Sequence, residues 1–259
     1  MLLAIDIGNS AVKFGIFDGA DLFHKFTIQT KRDYTAEELM FDRLKLVDRQ
    51  FIQVDIGTCI VSSVVPEING VVEQVCQELF KITPQFVDST WDFGLDIKYD
   101  PPTAAGVDRL VNAFAAVTKY GKPVIACSLG TATVIDAVNG DSDYLGGVIA
   151  PGMLTAAKAL NLETSKLPNV TIEKPTSYIG NTTTGSIQSG IVWGHLEMLT
   201  GMINHIRLEI DDSAKVVITG GFTRILEPEI SALGIIDENL ALDGLRLLAE
   251  RQDRSVPTA

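Results

Sequence analysis

Asp6-Ile7-Gly8-Asn9-Ser10 stands between two apolar runs, Leu2-Leu3-Ala4-Ile5 before it and Val12-Lys13-Phe14-Gly15-Ile16-Phe17 after it. About half a chain later the arrangement returns. Ser128-Leu129-Gly130-Thr131-Ala132-Thr133 follows Pro123-Val124-Ile125-Ala126-Cys127 and precedes Val134-Ile135-Asp136-Ala137-Val138. Each copy reads as a strand, a tight turn built on glycine and small hydroxyl residues, and a returning strand. The repeat predicts a duplicated architecture. Two such turns facing each other would offer backbone N–H groups and hydroxyls to both sides of a polyphosphate.

Outward from the first turn, residues 22–30 read as a third strand. Thr35 with Glu38 three residues later is a capping-box pattern that opens a helix. Residues 57–66 read as a buried strand stopped by Pro66, 71–79 as a helix, and 85–87 as a short strand. Residues 99–109 carry Pro101 and Pro102, which forbid a regular helix there. A helix over 110–119 and then Gly121 mark the boundary between halves 1–119 and 120–259. The second half repeats the order: hairpin, strand 143–149, helix 153–160, long helix 186–208, strand 216–218 and a last helix 238–250. The reading is mixed α/β with an internal repeat.

With 259 residues, 46% of them apolar, the chain is long enough for one large or two modest well-packed domains. A net charge of −12 argues against non-specific binding to nucleic acid or to an anionic membrane surface. It leaves a nucleotide site open, because amides and Mg²⁺ act locally. Cys59, Cys76 and Cys127 lack zinc or disulfide spacing. Cys59 and Cys127 fall in apolar strand runs and read as core. No charged leader precedes the first strand, and no apolar run reaches the ~18 residues of a membrane span. The expected location is the cytoplasm.

Asp6 ends a buried strand, where a carboxylate needs a cation or donors beside it. Mg²⁺, bound directly or through water, is one solution; an ordinary hairpin with local backbone bonds is the other. Gly8 permits positive φ and close backbone approach. Lys13 on the returning strand could reach a phosphate or face solvent. Asp108 and Arg109 open a helix, either as a cap and a surface charge or as a general base beside an anion anchor. Thr219-Gly220-Gly221 ends a strand and would let a flat base and ribose lie on the backbone; a plain turn explains it as well. Neither GxxxxGK[ST] nor GxGxxG occurs. His24, His195 and His205 lack ligand spacing, and His195, beside Trp193, reads as packing or interface.

Taken in order, Asp6-Ile7-Gly8-Asn9-Ser10, Gly106-Val107-Asp108-Arg109, Gly130-Thr131-Ala132-Thr133, the run 146–152 and Thr219-Gly220-Gly221 resemble the type III pantothenate kinases, the Bvg accessory factor family. The resemblance spans nearly the whole chain. It implies an α/β actin-like ATPase fold (the acetate kinase, sugar kinase and Hsp70 superfamily) with two duplicated ferredoxin- or RNase H-like halves and mixed sheets. It implies transfer of the ATP γ-phosphate to the 4′-hydroxyl of pantothenate, a homodimer, Mg²⁺, and a monovalent cation, K⁺ or NH₄⁺. Asp108 is then the catalytic base. Tyr99, Gly106, Val107, Arg109 and Thr183 contact pantothenate. Asp6, Ile7, Gly8, Asn9, Ser10, Ala11, Val12 and Lys13, with Gly130, Thr131, Ala132, Thr133, Gly220 and Gly221, surround the nucleotide, Asp6 on its metal side. One departure stands out. The family's second turn begins with an aspartate associated with the monovalent cation, and this chain has Ser128 there. That departure motivates the alternative of a weakened or inactive paralogue that binds nucleotide or pantothenate.

Overall fold

The computed structural model describes residues 1–40 and 54–255. The elements are β1 (Leu2–Ile7), β2 (Ala11–Asp18), β3 (Asp21–Gln29), α1 (described over 36–40), β4 (Thr58–Ser63), α2 (Asn69–Phe80), β5 (Gln85–Phe86), β6 (Asp96–Ile97), α3 (Val107–Tyr120), β7 (Val124–Leu129), β8 (Ala132–Val138), β9 (Asp143–Pro151), α4 (Met153–Glu163), α5 (Thr183–Ile210), β10 (Lys215–Thr219), α6 (Thr223–Ile230), β11 (Ile235–Ile236) and α7 (Leu240–Ser255).

The strands form two sheets of matching order. One runs β3-β2-β1-β4-β5; the other runs β9-β8-β7-β10-β11, with β6 added beyond β9. In each, the hairpin pairs and the next strand are antiparallel, while the two later strands join in parallel. The repeat extends to irregularities. The β2–β3 ladder shifts between Ile16 and Phe17, and the β8–β9 ladder between Ala137 and Val138, each between the sixth and seventh residues of its strand. One chain plan, hairpin then helical crossover, has been laid down twice.

By packing, one unit comprises Met1–Phe93, Thr103–Ala115 and Ala241–Ala259, and the other Gly94–Pro102 and Ala116–Leu240. In the first, alternate residues Leu3, Ile5 and Ile7 of β1 join Phe14, Cys59 and Val61 against Val72, Val75 and Cys76 of α2. The opposite face of β2 is covered by α7: a Cβ on Gly15 would stand 3.1 Å from Leu242 Cδ1. In the second unit, Ile125, Cys127, Leu129, Ile135 and Ile218 pack on Val192, Leu196, Leu199 and Ile203 of α5. Burying each such aliphatic side chain is worth about 1.5–3 kcal/mol, which fixes strand register because a one-residue slip would expose the whole row.

The capping box is present: Thr35 Oγ1 accepts from Glu38 N, and Glu38 Oε2 accepts from Thr35 N, each at 3.1 Å. All three cysteines are free and buried, and Cys59 Sγ lies 3.8 Å from Cys76 Sγ. Two helices start earlier than their periodicity predicts: α3 at Val107 and α5 at Thr183. Helix α6, in a segment the sequence leaves unassigned, contains Pro228. Among the described residues no helix is long and apolar enough to cross a membrane.

Candidate active site

The first turn is held from three sides. Gly8 N donates to Ala11 O at 3.0 Å, Thr30 Oγ1 donates to Gly8 O at 2.6 Å, and Val64 N donates to Ile7 O at 3.0 Å. Gly8 does not use the positive φ open to it. What it supplies is space, since a Cβ there would meet Ala11 O at 3.3 Å. Ile7 and Val12 are fully buried, so they can offer a ligand only backbone, whereas Asn9 and Ser10 are exposed. Asp6 is buried, and Lys13 Nζ stands 3.2 Å from its Oδ2. Beside Asp6 in the parallel ladder lies Ser62, 1% exposed, whose hydroxyl has no hydrogen-bond partner among the described residues.

Asp108 and Arg109 occupy the first turn of α3. Arg109 N and Leu110 N both donate to Gly106 O, so the helix begins on Gly106. A Cβ on Gly106 would lie 2.8 Å from Asp108 Oδ1 and 3.5 Å from Arg109 Cδ. The glycine therefore makes room for the carboxylate to lie over the helix start. Val107 and Asp108 are half-buried, and the Arg109 guanidinium side chain is only 6% exposed.

In the second unit, the turn after β7 is gripped through its carbonyls. Gly130 N donates to Ala132 O, Gly152 N and Thr155 Oγ1 donate to Thr131 O, and Phe222 N donates to Leu129 O. Gly152 and Gly220 are pressed against this turn: a Cβ on Gly152 would collide with the Gly130 and Thr131 carbonyls, and one on Gly220 with the Leu129 backbone. Gly220 also holds φ at +111°, a region glycine alone enters freely. Gly221 faces open space. The structure thus separates two glycines that read alike in sequence. Thr131 is exposed. Thr133 is buried and its Oγ1 lies 2.5 Å from Nε2 of His195 on α5, a residue that reads as packing or interface in the sequence.

Tyr99 is half-buried against Gly146, whose φ of +85° and missing Cβ admit the ring, and its centroid lies 6.4 Å from that of Tyr144. Thr183 is exposed at the first position of α5, next to the capping Thr182, whose hydroxyl accepts from Gly185 N. Gly152, Ser62 and His195 complete the list of residues that the sequence reading did not assign to the site. Gly152 sits inside a quoted glycine-rich run, so its signal was present; the other two depend on pairing across strands and on a helix 62 residues away.

The family model described as type III pantothenate kinase matches residues 2–205. A type III pantothenate kinase from Halalkalibacterium halodurans is 36% identical, covering 97% of this chain and 99% of its own length. One from Citrifermentans bemidjiense is 39% identical with the same coverage. This chain belongs to the type III pantothenate kinase family. A solved structure of a conserved Baf family protein from Campylobacter jejuni superposes with a TM-score of 0.61 over 97% of this chain and 99% of that one; at 19% identity it speaks to the fold alone. The fold is an α/β chain with two mixed sheets of matching strand order.

For a type III pantothenate kinase a divalent ion is implied, and the donors around Asp6 suit a hard divalent cation. They are hard oxygens, one carboxylate and one buried hydroxyl without a partner. No group of three or more His, Cys, Asp or Glu side chains gathers among the described residues. Ser128 carries no charge, and its ladder neighbours are Val134 and Thr219. The nearest acid on that sheet face, Asp136, lies opposite Ala126, and its Oδ1 accepts the Tyr144 hydroxyl.

Proposed function

We propose that this chain transfers the γ-phosphoryl group of ATP to the 4′-hydroxyl of pantothenate, the first step toward coenzyme A. The observation that carries this reading is the family match over residues 2–205, with relatives of that name matched over nearly their whole length. Nothing in the relatives favours the binding-only alternative.

In this reaction the bond between the γ-phosphorus and the bridging oxygen breaks, the 4′-oxygen takes the phosphoryl group, and ADP leaves. Asp108 accepts the hydroxyl proton; its placement over Gly106, at the start of a rigid helix, supports that role. Arg109 anchors the substrate carboxylate, and its burial supports this, because a guanidinium out of water binds a carboxylate strongly. Tyr99, Gly106, Val107 and Thr183 complete the pantothenate contacts. The backbone of residues 7–12 and 130–133 binds the phosphates, Asn9, Ser10 and Thr131 add polar side chains, and Gly220 and Gly221 border the adenosine. Mg²⁺ at Asp6 would neutralise phosphate charge. K⁺ or NH₄⁺ would meet only a neutral hydroxyl at Ser128, so a weak dependence on the monovalent ion follows.

The homodimer and the cytoplasmic location also belong to this reading. The exposed apolar side chains of Ile149, Leu162, Tyr178 and Ile179, 59–85% accessible, support self-association. The test is direct. Purified protein is incubated with ATP, Mg²⁺ and pantothenate, and the product is identified by mass spectrometry and phosphorus NMR. A phosphomonoester at the 4′-oxygen is expected. Unchanged pantothenate beside phosphorylation of a different alcohol would overturn the assignment.

A further inference from the structure

The bond between Thr133 and His195 joins two buried polar side chains, 1% and 8% exposed, from strand β8 and helix α5. Thr133 pairs with Leu129, so it closes the second glycine turn. Its side chain shares the sheet face of Leu129 and Ile135, the face that packs on α5. The hydroxyl is therefore engaged by the protein itself. Other supports of this turn act on its carbonyls: Phe222 on Leu129, Gly152 and Thr155 on Thr131, Gly130 on Ala132. His195 instead holds the Thr133 side chain, and it comes from the helix that begins with Thr183. Twelve residues separate the two, about 18 Å along a helix rise of 1.5 Å per residue.

We propose that His195 is a positioning residue for the nucleotide: by fixing Thr133 it sets the spacing of the backbone N–H groups in residues 130–133 that receive the phosphates. The proposal rests on reading that turn as the nucleotide turn. A neutral imidazole suits the role, since burial lowers its proton affinity and leaves one ring nitrogen to pair with the hydroxyl.

The experiment compares His195→Leu, His195→Gln, Thr133→Val, Thr133→Ser and the double variant His195→Leu with Thr133→Val. KM for ATP, KM for pantothenate and kcat are measured, with ADP affinity by calorimetry. Loss of one buried hydrogen bond corresponds to about a tenfold rise in ATP KM and in ADP Kd, with pantothenate KM within about twofold. The double variant is expected to be no worse than either single, because both remove the same bond. His195→Gln and Thr133→Ser, which keep a polar partner, recover most of the affinity. A lower melting temperature with ATP KM and ADP Kd unchanged would overturn the proposal, as would additive losses in the double. If His195→Leu does not fold, Thr133→Val and His195→Gln carry the same comparison. Should the wild-type protein bind ADP in a His195-dependent way yet leave pantothenate untouched, the kinase reading fails and the tether stands. Normal turnover with variants of normal ATP KM gives the reverse.

Discussion

Lys13 Nζ lies 3.2 Å from Asp6 Oδ2, on residues that pair directly across the β1–β2 hairpin. The carboxylate is nearly out of water while the lysine is about one-third exposed, so the pair sits between a surface and a buried ion pair. Replacing Lys13 by Met leaves Asp6 without its counter-charge. A loss of about 1–2 kcal/mol in denaturant titrations is expected, and Asp6→Asn on that background should restore much of it. Equal stability of Lys13→Met and the wild type would remove the pair from the account.

Gly220 and Gly221 predict opposite behaviour. Gly220→Ala forces a side chain onto the Leu129 backbone at a positive φ, so it should cost at least about 2 kcal/mol. Gly221→Ala enters open space and should leave the thermal midpoint nearly unchanged, while raising ATP KM if adenosine lies there. Melting curves and ATP titrations of the two variants make the comparison.

Asp108→Asn keeps the shape over Gly106 and removes the base. A fall in kcat of about 10²–10⁴-fold with ATP affinity nearly intact is expected. Turnover close to wild type would reject the assignment.

His195 links stability to pH. Burial lowers its pKa from the ordinary 6.5. As pH falls, the unfolded chain takes up the proton first, so this contribution is complete above about pH 6.5 and is lost as pH drops toward the lower folded-state value. The melting midpoint should therefore decline as pH falls below about 6.5, and His195→Gln should flatten that decline. An unchanged slope in the variant would show that other groups cause it.

Ser128→Asp places a charge where the family resemblance expects one. The ratio of kcat/KM in K⁺ to that in Na⁺ should rise above the wild-type ratio. A ratio unmoved by the substitution would separate Ser128 from cation binding.

Much of this molecule was legible in its residues because the signals were local. Two glycine turns between apolar runs announced both hairpins, and Thr35 with Glu38 announced the helix start that their reciprocal bonds form. The misses share a physical cause. Helix α6 is eight residues long with Pro228 inside, so its own sequence argues against it. Strands β6 and β11 are two residues each and show no alternation. Helix α5 begins among Thr183, Thr184 and Gly185, residues typical of turns, because Thr182 caps it. At the site, the sequence asks for a cation or donors beside Asp6 and offers Lys13 separately; strand register joins them. The pairing of Thr133 with His195 depends on α5, 62 residues away, and no local signal announces it.

The most direct measurement is ADP release by the purified protein with Mg²⁺ and ATP, followed with and without pantothenate, in K⁺ and in Na⁺. Release that depends on pantothenate, and that Asp108→Asn abolishes, is the predicted result. Release indifferent to pantothenate under every cation, or none at all, would contradict the account.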